Sequence, residues 1–226
     1  MKPVMTWVVI AAYNEATVIA KVVADVRRAG YPVVVVDDGS GDTTGHTAES
    51  AGAVVVRHPI NLGQGAGLQT GIEFVLSAGA DIVVTFDGDG QHRVSDIKTL
   101  SDALAAQDAE FVLGSRFLGD TLNLPPLRRV VLKLATWFTR LSTGLRITDT
   151  HNGLRAMTRR GALAVRLRQN RMAHASEILH QIAGSGLKYV EAPVTIEYSA
   201  YSLAKGQSLG DALSILIDLF ARRLHR

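Results

Sequence analysis

Short apolar runs rich in β-branched residues recur along the first half of the chain. They cover residues 8–12, 33–36, 54–56, 82–86 and 111–113. Amphipathic segments with helical spacing separate them, near residues 16–29, 43–51, 65–78 and 95–106. Alternation of short apolar strands with helices is typical of βαβ units, in which helices cover both faces of a parallel sheet. The pattern therefore predicts an α/β fold with a mostly parallel central sheet, at least to residue 114.

The pattern changes after two consecutive prolines at positions 125 and 126. The second half predicts a basic amphipathic helix over 127–143, an irregular stretch to residue 153, a helix near 174–184, a strand near 187–197 and an amphipathic helix from about 208. With 226 residues, 47% of them apolar, the chain is long enough for one well-packed domain. We expect residues 1–226 to form a single unit.

The formal charge of +3 hides a strong asymmetry along the chain. Residues 1–125 carry 8 basic and 15 acidic side chains, whereas residues 126–171 carry 11 basic side chains and one acid, Asp149. This concentration of positive charge favours an anionic neighbour, such as a phosphate, an anionic membrane surface or nucleic acid. The alternative is a basic face that is simply solvated.

Cysteine is absent, which excludes disulfides, thiol nucleophiles and cysteine metal sites. A cysteine-free chain fits a reducing compartment, so a cytoplasmic location is expected. No stretch approaches the ~18 continuous apolar residues that a membrane-spanning helix needs. We therefore expect a chain that does not cross a bilayer unaided.

Two carboxylates directly follow the fourth predicted strand, as Asp87 and Asp89 with glycines at 88 and 90. In open α/β sheets, ligands bind beyond the carboxyl ends of the strands. Mg²⁺ or Mn²⁺ is commonly held there by one or two carboxylates together with substrate phosphates, and Gln91 offers a further oxygen. The position of this pair favours a metal site over ordinary turn chemistry.

A second acidic pair, Asp37 and Asp38, follows the second predicted strand. Acids in this place can hydrogen-bond a nucleotide base or ribose, or they can cap the next helix. We expect Asp38 to bind ligand and Asp42 to cap the helix that begins near Thr43.

Five segments in order along the chain resemble one known family. They are Ala12-Tyr13-Asn14-Glu15, Val36-Asp37-Asp38-Gly39-Ser40-Gly41-Asp42-Thr43, Asn61-Leu62-Gly63-Gln64-Gly65, Asp87-Gly88-Asp89-Gly90-Gln91-His92 and Gly114-Ser115-Arg116. Together they are similar to the motifs of family 2 glycosyltransferases with the Rossmann-like GT-A fold, especially dolichol-phosphate mannose and glucose synthases. The segment from Asp149 to Arg155, Glu177, the segment from Glu191 to Val194, and Lys205-Gly206 also have counterparts there.

The resemblance implies a role for each matching position. Residues 1–125 would form the nucleotide-sugar-binding half, and residues 126–226 the acceptor-side half with its basic helices. The nucleotide sugar would contact Tyr13, Glu15, Asp38 and Gly63. The metal, Mg²⁺ or Mn²⁺, would be held by Asp87, Asp89 and Gln91. Donor or acceptor phosphates would be approached by Arg116, Arg155 and Lys205.

The implied reaction moves a hexose from a donor of the GDP-mannose or UDP-glucose type to a polyprenyl or dolichyl phosphate, with inversion at the anomeric carbon. A phosphate acceptor is already an oxyanion at neutral pH, so no general base is required. The basic helix over 127–143 would lie at the inner face of the membrane as an interfacial helix. For the terminal amphipathic helix, packing on the core or on a second subunit competes equally with membrane contact.

Departures from the family pattern leave alternatives open. Ala12 stands where proline is common, the arginine expected near Tyr198 is missing, and the membrane segments of many relatives are absent. A small membrane-protein partner or a homodimer is the expected substitute for such an anchor. Transfer to a soluble acceptor is the second interpretation, and a non-catalytic protein that uses its basic patch is a third. We expect no nucleic-acid binding, because aromatic residues make up only 6% of the chain.

Two further enzyme classes fit the sequence poorly. The glycines at 63, 65 and 67 follow the third predicted strand, whereas a dinucleotide-binding fingerprint follows the first. The glycine- and lysine-rich first loop of sugar nucleotidyltransferases is missing where Tyr13-Asn14-Glu15 stands. Among the histidines, His92 and His174 are candidates for the neighbourhood of the site, whereas surface or capping roles are expected of His46, His58, His180 and His225.

Overall fold

The computed structural model describes residues 4–169 and 173–198. The elements follow one another as β1 (Thr6–Ala12), α1 (Ile19–Arg28), β2 (Val33–Asp37), α2 (Thr44–Ser50), β3 (Val54–Arg57), α3 (Gln64–Ser77), β4 (Ile82–Thr85), α4 (Ser95–Gln107), β5 (Phe111–Leu122), α5 (Pro126–Thr143), β6 (Arg155–Thr158), α6 (Arg159–Ala164), α7 (His174–Ser185) and β7 (Tyr189–Glu197). Lys205 and the terminal helix predicted from about 208 lie outside the described residues.

The seven strands of the described residues belong to one sheet with the order β3-β2-β1-β4-β6-β5-β7. The pairs within β3-β2-β1-β4 are parallel, and β5 pairs with β7 in parallel. Strand β6 is antiparallel to both of its neighbours, β4 and β5. The mostly parallel α/β architecture predicted from the sequence is confirmed, and one sheet runs through both predicted halves of the chain.

Alternate strand residues feed two apolar cores, one on each face of the sheet, because successive side chains point to opposite faces. Val8 and Ile10 of β1 belong to the core that packs under α1, α2 and α4. Val9, between them, belongs to the core under α3, α6 and α7. This double coverage explains why the strands read as continuous apolar runs.

Three elements differ from the sequence prediction. Strand β6 and helix α6 occupy residues 155–164, where no element was predicted. Strand β5 continues to Leu122 instead of ending near 113, and its pairing with β7 shifts register between Ser115 and Asp120. Among the described residues, no helix combines the length and apolar character needed to span a membrane.

Candidate active site

Asp87 and Asp89 lie just beyond the carboxyl end of β4, between the ends of the parallel strand β1 and the antiparallel strand β6. The strand order places this point where the sheet changes from parallel to antiparallel pairing. Ligands in open α/β sheets bind at such carboxyl ends. The tertiary structure therefore puts both acids at the cleft edge that their sequence position predicted.

The Asp87 carboxylate is held from several sides. His92 Nε2 lies 2.8 Å from its Oδ2, and the Gln64 side chain donates a 3.3 Å hydrogen bond to Oδ1. His92 is nearly inaccessible, with 2% of its side-chain surface exposed, whereas 28% of the Asp87 side chain stays open. Gly153 packs so closely that a Cβ on it would stand 2.3 Å from both carboxylate oxygens. Asp87 is thus fixed in orientation and still open to the cleft.

Charges around Asp87 keep it ionised. Burial acts to raise the pKa of Asp87, but the hydrogen bond and electrostatic effect of His92, together with the electrostatic effects of Arg155 and His174, outweigh it and hold that pKa below its ordinary value. Arg155 begins β6 and is buried. Burial lowers the pKa of Arg155 to about 10, against the opposing effect of Asp87 and Asp149, so the side chain stays cationic at neutral pH.

Asp89 experiences the opposite balance. Burial, followed by the charge of Asp87, raises the pKa of Asp89 to about 6. Its Oδ1 accepts a 3.0 Å hydrogen bond from the Gln91 backbone N–H. Two mutually repelling carboxylates suit a hard divalent cation, which would remove that repulsion. Within the described ranges there is no cluster of three or more Asp, Glu, His or Cys side chains that could hold a metal by itself.

The loops after β1 and β2 are tied together beside this pair. Asn14, with a left-handed φ of 53°, accepts a hydrogen bond from the Gly41 N–H and donates its own N–H to Ser40 Oγ. The Glu15 N–H donates to Thr44 Oγ1 at 2.7 Å. Tyr13 projects outward with 46% of its surface exposed. Tyr13 and Glu15 therefore lie at the cleft edge expected for nucleotide contacts, and those contacts stay a prediction.

Asp38 has hydrogen-bond partners inside the protein, and its expected contact with the nucleotide stays a prediction. Its carboxylate accepts hydrogen bonds from the N–H groups of Leu62 and Gly63, at 3.0 and 2.7 Å, and its Oδ1 lies 2.7 Å from His58 Nδ1. With 2% of the residue exposed, Asp38 is buried. In this structure Asp38 holds the loop after β3, and Gly63 is one of the groups it holds. Asp42 accepts a hydrogen bond from the Thr44 N–H at the start of α2, in line with the expected capping role.

Arg116 is also engaged inside the protein. Its Nε donates to Asp149 Oδ2 at 2.6 Å, Nη1 donates to the Tyr198 hydroxyl at 2.6 Å, and Nη2 donates to the carbonyl oxygen of His151. Both members of the Arg116–Asp149 ion pair are buried. The guanidinium of Arg128 lies 5.1 Å from the centre of the Tyr198 ring. Arg116 thus joins β5, the 149–151 segment and the end of β7, and its expected contact with phosphate stays a prediction.

The structure also gives the positions of three of the other histidines and of Glu177. The surface or capping role expected of His58 is wrong, because its side chain is 9% exposed and bridges Asp38 and Thr70. His46 and His180 are exposed as expected. Glu177 accepts hydrogen bonds from the backbone N–H groups of Arg168 and Gln169, so it supports the irregular segment after α6.

Gly153 and Gln64 are site residues that sequence reasoning did not single out. Both lie inside segments that resemble the family motifs, and this resemblance was the only sequence feature that could have indicated them. The spacing along the chain gave no reason to pair either of them with Asp87, because the contacts span 66 and 23 residues.

Helix α5 carries a cationic groove on one side. An open groove of about 490 Å³ is lined by Phe117, Arg129, Lys133, Thr136, Trp137, Arg140 and Thr148. Three of these residues are basic and, among the described residues that line it, none is acidic. The groove is therefore suited to an anion flanked by apolar or aromatic surface.

Helix α5 also presents an unburied apolar stripe. Its members recur every three or four residues and are 53–58% exposed; they are Leu127, Val130, Leu134, Trp137 and Leu141. The opposite face packs into the protein through buried residues that include Leu132, Ala135 and Phe138. Helix α5 is thus amphipathic, with a regular apolar stripe on the side that the other described residues leave exposed.

Comparison with known proteins gives the family. The family model for glycosyl transferase family 2 matches residues 7–163. The UDP-N-acetylglucosamine–dolichyl-phosphate N-acetylglucosaminyltransferase of Methanococcus voltae is 30% identical, over 97% of this chain and 96% of the relative. The polyprenol monophosphomannose synthase of Mycolicibacterium smegmatis is 29% identical, over 92% of this chain and 84% of the relative.

The solved structures agree on the fold. The glucosyl-3-phosphoglycerate synthase of Mycobacterium tuberculosis, crystallised with Mg²⁺ and UDP, superposes with a TM-score of 0.73 at 18% identity, over 96% of this chain and 79% of that chain. The sheet order, the paired carboxylates at its carboxyl edge and the matched family model all agree with the resemblance found in the sequence. The chain has the GT-A fold and belongs to glycosyl transferase family 2, a family of glycosyltransferases.

Proposed function

We propose that this glycosyltransferase moves a hexose from a nucleotide sugar, of the GDP-mannose or UDP-glucose type, to a polyprenyl phosphate. The observation that carries the proposal is the extent of similarity to relatives named for such acceptors. Two of them, named for dolichyl phosphate and for polyprenol monophosphomannose, align over 97% and 92% of this chain. The similarity therefore includes the acceptor-side half as well as the donor half.

The donor would lie at the carboxyl ends of β1, β2 and β4. Tyr13 and Glu15 would contact the nucleotide, and the loop held by Asp38 and containing Gly63 would form the neighbouring wall. The order of the strands supports this location, since nucleotides bind where the carboxyl ends of parallel strands open. Asp38 would shape this wall through its hydrogen bonds to Leu62 and Gly63.

Asp87 and Asp89 would hold Mg²⁺ or Mn²⁺ together with the donor diphosphate, and Gln91 would add an oxygen ligand. The metal, when bound, would neutralise charge that develops on the departing nucleoside diphosphate. The chain's own contribution is to fix Asp87 through His92, Gln64 and Gly153, so that little reorganisation is needed. Arg155, buried and cationic beside Asp87, would help to keep that carboxylate ionised and would lie near the phosphates.

The acceptor phosphate requires positioning more than activation. A phosphate monoester is already an oxyanion near neutral pH, so it can attack the anomeric carbon with inversion and without a general base. Two anions repel each other, so cations must bring them together. The groove with Arg129, Lys133 and Arg140 supplies such charge on the acceptor side. Arg116 and Lys205 remain proposed phosphate contacts, with Arg116 acting in this conformation as a clamp on the 149–151 segment.

A membrane surface is the proposed partner of α5. Its exposed stripe would enter the interface while Arg128, Arg129, Lys133 and Arg140 meet anionic headgroups, each worth ~1 kcal/mol near such a surface. This arrangement would place the enzyme at the cytoplasmic face, where a lipid phosphate is reached from the side. A homodimer or a small membrane protein would strengthen this attachment.

A soluble acceptor is the second candidate. The structural relative named glucosyl-3-phosphoglycerate synthase shares the fold, and its name gives a small phosphorylated acid as the sugar acceptor. The cationic groove fits the phosphate of either acceptor. The exposed apolar stripe beside it favours the lipid.

The test measures release of nucleoside diphosphate from GDP-mannose and UDP-glucose with Mn²⁺, in detergent. Each donor is assayed alone, with a short polyprenyl phosphate, and with 3-phosphoglycerate. We expect one donor to be consumed with the polyprenyl phosphate, and the release to stop when EDTA is added. Release with 3-phosphoglycerate and none with the lipid would move the assignment to the second candidate.

A further inference from the structure

Asp38, His58 and Thr70 form a continuous, partly buried relay of hydrogen bonds that joins three parts of the chain. Asp38 Oδ1 lies 2.7 Å from His58 Nδ1, and His58 Nε2 lies 3.0 Å from Thr70 Oγ1. Asp38 follows β2, His58 follows β3, and Thr70 lies in the second turn of α3. A neutral imidazole with its proton on Nδ1 satisfies both contacts, since it donates to the carboxylate and accepts from the hydroxyl.

The relay fixes a loop that has little apolar packing of its own. Residues 58–63 connect β3 to α3, and Ile60 within them is 64% exposed. Asp38 takes the N–H groups of Leu62 and Gly63 in addition to His58. Because so little of this loop is buried, hydrogen bonds rather than core packing hold its conformation.

The neighbouring loop leaves this segment little room to shift. Gly39 has a φ of +70°, and a Cβ on it would stand 2.4 Å from the carbonyl carbon of Ile60. The 38–42 and 58–63 loops are therefore pressed backbone to backbone. A change in one must move the other.

The same loop leads directly to Asp87. Gly63 is followed by Gln64, the first residue of α3, whose side-chain amide donates to Asp87 Oδ1 at 3.3 Å. The hydrogen bond from the Gly63 N–H to Asp38 thus sets where α3 begins and where Gln64 can reach. The relay connects the end of β2 to the carboxylate at the end of β4.

We propose that His58 is a positioning residue for the nucleotide-sugar donor: through Asp38 and Thr70 it fixes the 58–63 loop as one wall of the nucleoside-diphosphate site. This inference rests on the proposed function, because it assumes that the donor lies at this edge of the sheet. It assigns a role to a histidine that sequence patterns place on the surface. His58 itself need not touch the donor.

The test compares a variant that loses both hydrogen bonds of His58 with two variants that each keep one of them. His58→Ala removes both ends, His58→Asn keeps a donor near the Nδ1 position, and His58→Gln keeps a polar group near Nε2. Binding of UDP and of GDP is measured by titration calorimetry, alongside donor KM, kcat and the melting temperature. We expect His58→Ala to raise the nucleotide Kd and the donor KM about tenfold, with kcat changed less than threefold. His58→Asn should recover most of the loss and His58→Gln should not.

Thr158→Val is the matched control. Thr158 lies at the opposite end of the sheet, where its hydroxyl bonds Glu110 and accepts from the Gly161 N–H. Its loss should lower the melting temperature and leave nucleotide binding unchanged. If wild type binds UDP or GDP and His58→Ala binds it equally well, or if His58→Gln is rescued as fully as His58→Asn, the positioning role is overturned and the proposed function stands. Wild type that binds neither nucleotide would overturn the proposed function as well.

Discussion

Gly153 and Asp87 are in such close contact that a methyl group on the glycine would stand 2.3 Å from both carboxylate oxygens. The hydroxyl of Thr85 donates to the Gly153 carbonyl oxygen at 2.6 Å, so the glycine backbone is itself held in place. Asp87 must therefore move if a side chain appears at position 153. The contact links the segment before β6 to the carboxylate proposed to bind the metal.

Gly153→Ala should displace Asp87 and reduce sugar transfer about a hundredfold, since a misplacement near 1 Å can cost that much. Mn²⁺ affinity, measured by electron paramagnetic resonance, should fall with it. Gly184→Ala in α7 is the control, because nothing lies within 4 Å of a Cβ there. Equal activity and Mn²⁺ affinity in both variants would contradict the assigned role of Asp87.

Asp149 neutralises Arg116 within the protein, where both side chains are buried. Asp149→Asn leaves the guanidinium without its counter-ion and should lower the free energy of unfolding by about 3–5 kcal/mol. Urea denaturation measures this difference. Asp102→Asn, which breaks an exposed pair with Lys98 on α4, should change the free energy of unfolding far less, because solvent screens this pair. A similar small cost for both variants would show that the Arg116 clamp contributes little to folding.

His151 should make the protein sensitive to mild acid. Burial, and after it the positive charges of Arg116 and Arg155, lower the pKa of His151 from 6.5 to about 4, although Asp149 opposes them. Its Nδ1 has no hydrogen-bond partner within the described ranges. The unfolded chain takes up a proton near pH 6.5 and the folded protein does not, so stability is full above that pH and is lost as the pH falls toward 4.

The expected loss over that interval corresponds to a fall in melting temperature of about 5 °C or more. His151→Gln should lessen the fall between pH 6.5 and 4.5, and thermal unfolding at stepped pH values measures it. His180→Gln, at an exposed site, should reproduce the wild-type curve. If His151→Gln and wild type give the same pH dependence, His151 does not carry this effect.

The exposed stripe of α5 should bind anionic membranes. Leu134→Glu combined with Trp137→Glu removes two of its apolar members and adds negative charge, so partitioning to phosphatidylserine vesicles should fall more than tenfold in a flotation assay. Leu163→Glu changes a leucine on α6 that is 65% exposed, and it should leave vesicle binding intact. Vesicle binding that survives the double change would assign this face to something other than a membrane.

The fold could be predicted from the sequence where both faces of a strand are buried. Strands β1, β2 and β4 lie under helices on both faces, so their apolar runs were visible without any partner. Strand β6 begins with the buried Arg155 and is four residues long, and it is inserted antiparallel between β4 and β5. Its existence depends on pairing with distant strands, which a local pattern does not contain.

The site was predictable only in its position. Asp87 and Asp89 follow a buried strand, and the sheet geometry alone placed them at the cleft. The hydrogen-bond partners of each carboxylate could not be predicted in the same way. Asp38 also follows a buried strand, as Asp87 does, yet its carboxylate is hydrogen-bonded to Leu62, Gly63 and His58. Tertiary contacts, which a local sequence pattern does not contain, decide which carboxylate accepts hydrogen bonds from the protein's own backbone.

Transfer of a hexose to a polyprenyl phosphate is tested most directly by following a label from the sugar donor. Wild type and Asp89→Ala are incubated with radiolabelled GDP-mannose or UDP-glucose, Mn²⁺ and a short polyprenyl phosphate, and the organic and aqueous phases are then counted. We predict that wild type transfers label from one donor into the organic phase and that Asp89→Ala transfers at least a hundredfold less. Label that stays in the aqueous phase with both donors would contradict transfer to a polyprenyl phosphate, and equal transfer by the two proteins would contradict the role of Asp89.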